Sequence, residues 1–598
     1  WFGDLVTMKW WDEIFLNEGF ANFWEFETPN YIYPEQAKYF SSRYVPEILS
    51  TALKGDASNT SHALHYAYSV DPDFGSAITY DKGSALLRML RYVLGNKAFQ
   101  VGLQEYITAY KFGNTNHYDL FNCLTNASIH LNVRDWCGEP LNVSKFMEPW
   151  LLQQSFPVVV VDSEPSRTTF SQTPFNDART LPASPFGYKW PIPIWHKTAD
   201  ADERLAWIAP KYLSDQCRSG PLPVDLELPG NAALNVEART YAVVDYDLTS
   251  WAQLQQQFFK DPSKLDVNVR SQTLNDLQLL SENNQEKANR LLELVSYLSA
   301  ETSLAPWDTI RDWLQNLEDN VRQNPILAFM YKRFLTNIYS PVYETLGWEA
   351  TSDNWDEKIL RSYILRRTCG LGYAPCVREA RSRFQRFLAS CPAIQNAAGL
   401  DACASVPEPD IQAAVFCTGI RESTNRQDFN RLLAIFQREA VRRPLTDQAQ
   451  TILNGLACTQ RPLQLLRLLR LATNSSGRAG GVTPIAEVLP AVQDNPAASD
   501  VLWDNWRRSP QQIVDADEQG GTHSGTRFLP RYLQTMTRHW RSPQQLDKIS
   551  QLYQEPTLNN HRNFLDELRE SIRTRIQESK SMANKVQPFL TRRQFAGF

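Results

Sequence analysis

The chain has 598 residues, of which 42% are hydrophobic and 12% aromatic, a globular composition too long for one core and divided by length among about three or four domains. Its 61 Lys+Arg against 66 Asp+Glu leave a net charge of −5, so no global field argues for a nucleic-acid partner. No stretch approaches the roughly 18 consecutive apolar residues of a membrane helix, and the tail TRRQFAGF is too polar for a lipid-anchor signal.

The opening, WFGDLVTMKWWDEIFLNEGFANFW, is apolar and begins without Met. Because a free amino terminus is usually polar and frayed, we expect a segment in front of it, where a signal or anchor would lie. A helix is predicted over 12–26, with Asp12 as its cap and Thr28-Pro29 as its stop. At 100° per residue Trp11, Ile14, Phe15, Glu18 and Ala21 share one side while Leu16, Phe20 and Phe23 cover the other, so burial nearly all round is expected. Glu18 is then a carboxylate among apolar neighbours, and something cationic should face it: Arg, Lys or a metal ion.

Further on, SHALH places His62 and His65 three apart with no Glu between them, and we read the pair as structural. ITYDKGSALLRMLRYVLG puts Leu86, Leu90, Val93 and Leu94 on one side of a helix that Gly95 stops. Helices continue to about residue 155. From Phe156 to Asp247 the period becomes two or continuous, in PVVVV, SRTTFSQT, WPIPIW, RLAWIAP and RTYAVVDYD. These read as short strands of a small β-sandwich, with the prolines of WPIPIW on an edge or bulge. After Ser250 the pattern is helical to the end, as in SQTLNDLQLLS, ANRLLELVSYLSA and FNRLLAIFQREAVRR, and suggests paired helices stacked in an array. Arg among Leu in LQLLRLLRLA reads as a solvated helix face, and SSGRAGG, 475–481, as a loop.

Nine Cys and four Asn-x-Ser/Thr sequons, at Asn59, Asn126, Asn142 and Asn474, argue for an oxidising compartment. No CxxC occurs and no His sits beside the Cys, which favours disulfides over zinc clusters. In order of preference we expect Cys369 with Cys376, Cys417 with Cys458, Cys391 with Cys403, and Cys123 with Cys137, leaving Cys217 over.

WFGDLVTMKWWDEIFLNEGFA resembles the stretch that carries the third zinc ligand in the gluzincin aminopeptidases, the family of aminopeptidase N and membrane alanyl aminopeptidase. In that family HExxH lies on one helix, and a Glu on the next helix follows the second His by nineteen positions. Counted back from Glu18, that His falls two positions before Trp1, and none of the eight His present lies in an HExxH. The resemblance therefore implies that Glu18 is the remaining metal ligand, for zinc, with both His ligands and the general base upstream. A second match, AITYDKGSALLRML, implies that Tyr80 is catalytic and hydrogen-bonds the tetrahedral intermediate. RSQTLNDLQLL, 270–280, YLSAETSLAPW, 297–307, and the Cys369/Cys376 and Cys417/Cys458 placements are similar too, and carry fold rather than chemistry. YAVVDYD departs from the family's YRVNYD, and Phe15 replaces a usual Trp.

The resemblance implies a multidomain, mainly α protein. Residues 1–155 would be the carboxy-terminal part of a thermolysin-like catalytic domain, 156–247 a β-sandwich and 248–598 a large α-helical array. It implies a zinc-dependent aminopeptidase acting on peptide substrates, a cell-surface or extracellular ectodomain anchored by an amino-terminal segment, and admits a homodimer. By itself, with one ligand of three, the chain is expected to bind zinc poorly and to be inactive. The alternative is a non-catalytic peptide-binding or receptor ectodomain on the same fold, against which the retention of both Glu18 and Tyr80 speaks.

Overall fold

The computed structural model describes residues 1–65, 75–164, 167–197, 203–218, 233–282, 284–392, 399–440, 446–473, 485–519 and 528–592. The SSGRAGG patch and the Asn474 sequon lie outside them. The molecule is mainly α and divides into two compact units, Trp1–Trp313 and Leu314–Phe598.

In the first unit the helices that matter for the site are α1 (Phe15–Glu27), α2 (Ser50–Ala57), α3 (Gly83–Tyr110) and α4 (His117–His130). α1 packs on α3, and α3 on α4. α4 starts at a reciprocal cap, in which Asn116 Oδ1 accepts from the Asp119 N–H at 3.2 Å and Asp119 Oδ2 from the Asn116 N–H at 3.0 Å. Gly95 adopts φ +75° and breaks α3 into two helical runs, the second continuing to Tyr110. Strands β1 (Val6–Met8) and β2 (Gly113–Thr115) pair in parallel and bring the start of α1 beside the start of α4.

Six more strands follow: β3 (Pro157–Glu164), β4 (Arg167–Pro174), β5 (Ile192–Lys197), β6 (Arg204–Ile208), β7 (Ala233–Leu234) and β8 (Val243–Tyr246). They form two three-stranded sheets, ordered β4-β3-β8 and β6-β5-β7. β3 is antiparallel to β4 and parallel to β8, and its Val158, Val159 and Val161 are buried. Pro193 sits where β5 has only β6 beside it, since β7 reaches no further than His196 and Lys197, so the missing N–H leaves no second strand short of a donor. Beyond the sheets, Arg270 and Glu301 join the two stretches RSQTLNDLQLL and YLSAETSLAPW through a buried two-pronged ion pair at 2.7 and 2.9 Å. Tyr297 donates to the same carboxylate at 3.1 Å.

Among its described residues the second unit is built of helices, with no strand. Trp355–Gly370 packs on Pro409–Arg421, that helix on Asp447–Ala457, and that in turn on Ile485–Val492. Ala374–Ser390, Arg426–Glu439 and Pro462–Thr473 cover them as an outer row. In LQLLRLLRLA, Leu465, Leu468 and Leu469 are buried while Arg470 faces solvent, as a one-sided helix requires.

Two expectations are corrected. Asp12 caps nothing: it lies in a tight 3-10 turn, Trp11–Glu13, and α1 starts only at Phe15 with no side-chain cap. Nor is α1 buried all round, since Ala21, Trp24 and Glu25 are exposed and Glu18 is half-buried. Aromatic content overstates burial, because a large indole is seldom fully enclosed.

The disulfides Cys369–Cys376, Cys391–Cys403 and Cys417–Cys458 form as expected. The fourth is Cys137–Cys217, with Cα atoms 5.3 Å apart, in place of Cys123 with Cys137. Cys123 is on the buried side of α4 and free. Burial pushes its thiol up to about 11, which keeps it protonated and unreactive at neutral pH. The tertiary fold delivers to Cys137 a cysteine 80 positions away.

Candidate active site

Tyr80 belongs to a π-helical turn, Ile78–Lys82, that leads into α3. Such turns hold one residue more than an α-helical turn and recur where a side chain must be re-aimed. Glu18 immediately precedes Gly19 on α1, and Tyr80 lies one turn before Gly83. At this crossing the two glycines touch: a Cβ on Gly19 would lie 3.2 Å from Gly83 Cα, and one on Gly83 3.2 Å from Gly19 Cα. With no side chain on either backbone the helices close up, and the Tyr80 phenol comes to face the Glu18 carboxylate. Burial raises the phenol pKa, and the adjacent Glu18 carboxylate raises it further. The O–H is thereby held as a donor at neutral pH.

The turn is anchored on both sides of the tyrosine. Asn22 Nδ2 of α1 donates to Asp81 Oδ1 at 3.0 Å. Lys82 Nζ reaches inward to Asp56 Oδ2 at 2.8 Å, both side chains almost wholly buried, and donates to the carbonyls of Gln153 and Ser155 at 3.3 Å each. Asp56 in turn accepts from the Ser155 N–H at 2.8 Å, Ser61 Oγ at 2.5 Å and the Tyr241 hydroxyl at 3.2 Å. This network ties α2, the π turn and the sheets together. At the far end of α1, Glu27 pairs with Arg91 and, at 3.9 Å, with Arg88 of α3.

Among the described residues no Lys or Arg pairs with Glu18. The group beside it is the Tyr80 phenol. His62 and His65 do not act as a pair: His62 Nδ1 turns to the Ala63 carbonyl at 2.8 Å, and His65 Nδ1 to the Asp12 carbonyl at 3.2 Å. Sequence reasoning passed over Glu13 and His117, whose side chains meet beside His65. Their separation along the chain leaves no local spacing by which to find them.

Residues 1–150 match the Peptidase family M1 domain, and residues 233–574 match the ERAP1-like C-terminal domain. The chain belongs to the M1 gluzincin aminopeptidase family. It is similar to putative aminopeptidase-2 of Caenorhabditis elegans, 28% identical over 584 residues that cover 94% of this chain and 29% of the relative. It is also similar to the thyrotropin-releasing hormone-degrading ectoenzyme of Rattus norvegicus, 26% identical over 85% of this chain and 47% of that protein. Glutamyl aminopeptidase of Bos taurus is 26% identical over 80% of this chain and 46% of its own length. The chain thus spans less than half the length of each of these relatives.

Proposed function

We propose that the whole protein is a zinc-dependent aminopeptidase that releases amino-terminal residues from peptides. The observation that supports this best is the contact of the Glu18 carboxylate with the Tyr80 phenol at the Gly19–Gly83 crossing. Glu18 would hold the zinc together with the two His of an HExxH, which these 598 residues do not contain. When bound, zinc polarises the scissile carbonyl and supplies a nucleophile at neutral pH. Glu18 contributes a negative oxygen donor on a helix fixed at both ends. Tyr80 presents its O–H to the oxygen on which negative charge develops, so it stabilises the transition state more than the bound peptide. The buried Lys82–Asp56 pair holds that phenol in place.

On this reading residues 1–155 close a thermolysin-like catalytic domain, 156–247 form a sandwich, and 248–598 a helical array. By itself the chain has one ligand of the family's three, and we expect it to hydrolyse nothing. Four disulfides, exposed sequons at Asn59, Asn126 and Asn142, and similarity to an ectoenzyme support an extracellular location. No helix of the described residues is long and apolar enough to cross a membrane.

The test is hydrolysis of aminoacyl reporters, with zinc content, in a polypeptide that also carries HExxH. Glu18→Gln should lose zinc and activity together. Tyr80→Phe should keep zinc and KM while kcat falls about 100- to 1,000-fold, the usual cost of one oxyanion donor. Full activity in Tyr80→Phe would refute the assignment of the phenol.

A further inference from the structure

A second group of donors lies just before α1 and takes no part in the chemistry above. Glu13 ends the tight turn that precedes the helix and is 4% exposed; His117, the first residue of α4, is 3% exposed. Glu13 Oε1 lies 2.7 Å from His117 Nδ1, and Oε2 accepts from the His117 backbone N–H at 3.2 Å. His65 brings its Nδ1 to 3.6 Å from the same Oε1. The two imidazoles stand edge to face, with centroids 4.9 Å apart. One donor atom from each of the three residues lies within 4.8 Å of the other two.

A purely structural account explains part of this. Glu13 is satisfied by the two His117 nitrogens, and His65 by the Asp12 carbonyl. It leaves His117 Nε2 buried with no hydrogen-bond partner among the described residues, so the ring's polar tie there is Nδ1, on the side where Glu13 and His65 meet. A tetrahedral ion with bonds of about 2.0–2.2 Å needs donors about 3.3 Å apart, and Glu13 Oε1 lies 2.7 Å from His117 Nδ1 and 3.6 Å from His65 Nδ1, on either side of that value. Two imidazoles and one carboxylate suit zinc and its neighbours, whereas calcium and magnesium favour all-oxygen sites. The His65 side chain is 27% exposed, which gives an ion a way in and leaves room for water as a further ligand.

We propose that Glu13, His65 and His117 bind a divalent transition-metal ion of the zinc class, at a site that shares no residue with Glu18. The three ligands come from the turn before α1, the segment after α2 and the start of α4, so the ion would staple these together. The inference does not depend on the aminopeptidase reading.

The experiment uses the 598-residue chain, stripped with a chelator and titrated calorimetrically with Zn²⁺; Co²⁺ serves as a coloured probe. One equivalent of Zn²⁺ should bind, and Co²⁺ should give visible ligand-field absorption. His65→Ala, at the partly exposed ligand and so least harmful to folding, should weaken binding by about 10-fold or more, and His65→Cys should restore it. Glu18→Gln should leave uptake unchanged. Absence of saturable uptake, uptake indifferent to His65→Ala, or uptake abolished by Glu18→Gln would each overturn the proposal.

Discussion

Asp81, next to the tyrosine of the candidate site, carries a pH signature of its own. Burial pushes its carboxyl up to about 6; the Asn22 hydrogen bond opposes that shift and the charge of Glu25 adds to it. In the unfolded chain an Asp titrates near about 3.9. Between about pH 4 and 6 the folded chain therefore holds a proton that the unfolded chain has released. Stability falls as the pH rises through that window, and the penalty is complete above it. Asp81→Asn stays neutral at every pH and keeps an oxygen for Asn22 to donate to. Its Tm should exceed that of the parent at about pH 7 and converge with it near about pH 4. A gap of equal size at both pH values would show that the carboxyl is not the source.

At the scale of elements, α1 and the π turn depend on backbone contact at Gly19 and Gly83 and on the charge pair buried behind it. Gly83→Ala would press a Cβ to 3.2 Å from the Gly19 Cα and 3.5 Å from the Phe15 Cβ. Backbone cannot swing aside as a side-chain tip can, so the helices must separate, at about 1–3 kcal/mol. Denaturant unfolding would read that loss, and in a polypeptide that also carries HExxH the variant's kcat should fall with it, because the same shift parts Tyr80 from Glu18. Lys82→Met would leave Asp56 charged in the interior, at about 3–5 kcal/mol, whereas Asp56→Asn with Lys82→Met should cost much less than the two single changes summed. Additive losses in that cycle would mean the pair is not coupled.

Much at this scale was legible from pattern. Short alternating or continuous apolar runs between turn residues marked β3 to β6, and Gly95 marked the break in α3. The contact of Glu18 with Tyr80 was accessible only through whole motifs, since nothing in either residue's local spacing points to the other. Glu13 with His117, and Cys137 with Cys217, were invisible: each joins segments that only the tertiary fold brings together.

Over the whole molecule, the disulfides differ in how much chain they close. Cys137–Cys217 spans 80 positions and links the segment after α4 to the residues just past the short helix that follows β6, in the first unit. Cys369–Cys376 spans 7 and staples adjacent helices in the second. On loop-closure entropy alone the long link would stabilise the folded state by about 4.5 kcal/mol and the short one by about 2.4 kcal/mol. Because the loops lie in different units, calorimetric scans of paired Cys→Ala variants can separate them. Cys137→Ala with Cys217→Ala should lower the melting of the Trp1–Trp313 unit by more than Cys369→Ala with Cys376→Ala lowers that of Leu314–Phe598. Cys123, free and with its thiol kept protonated by burial, should not reshuffle with the long link in the native state. Equal or reversed losses would mean that packing around the sulfurs, not the entropy of the closed loop, sets what each bond contributes.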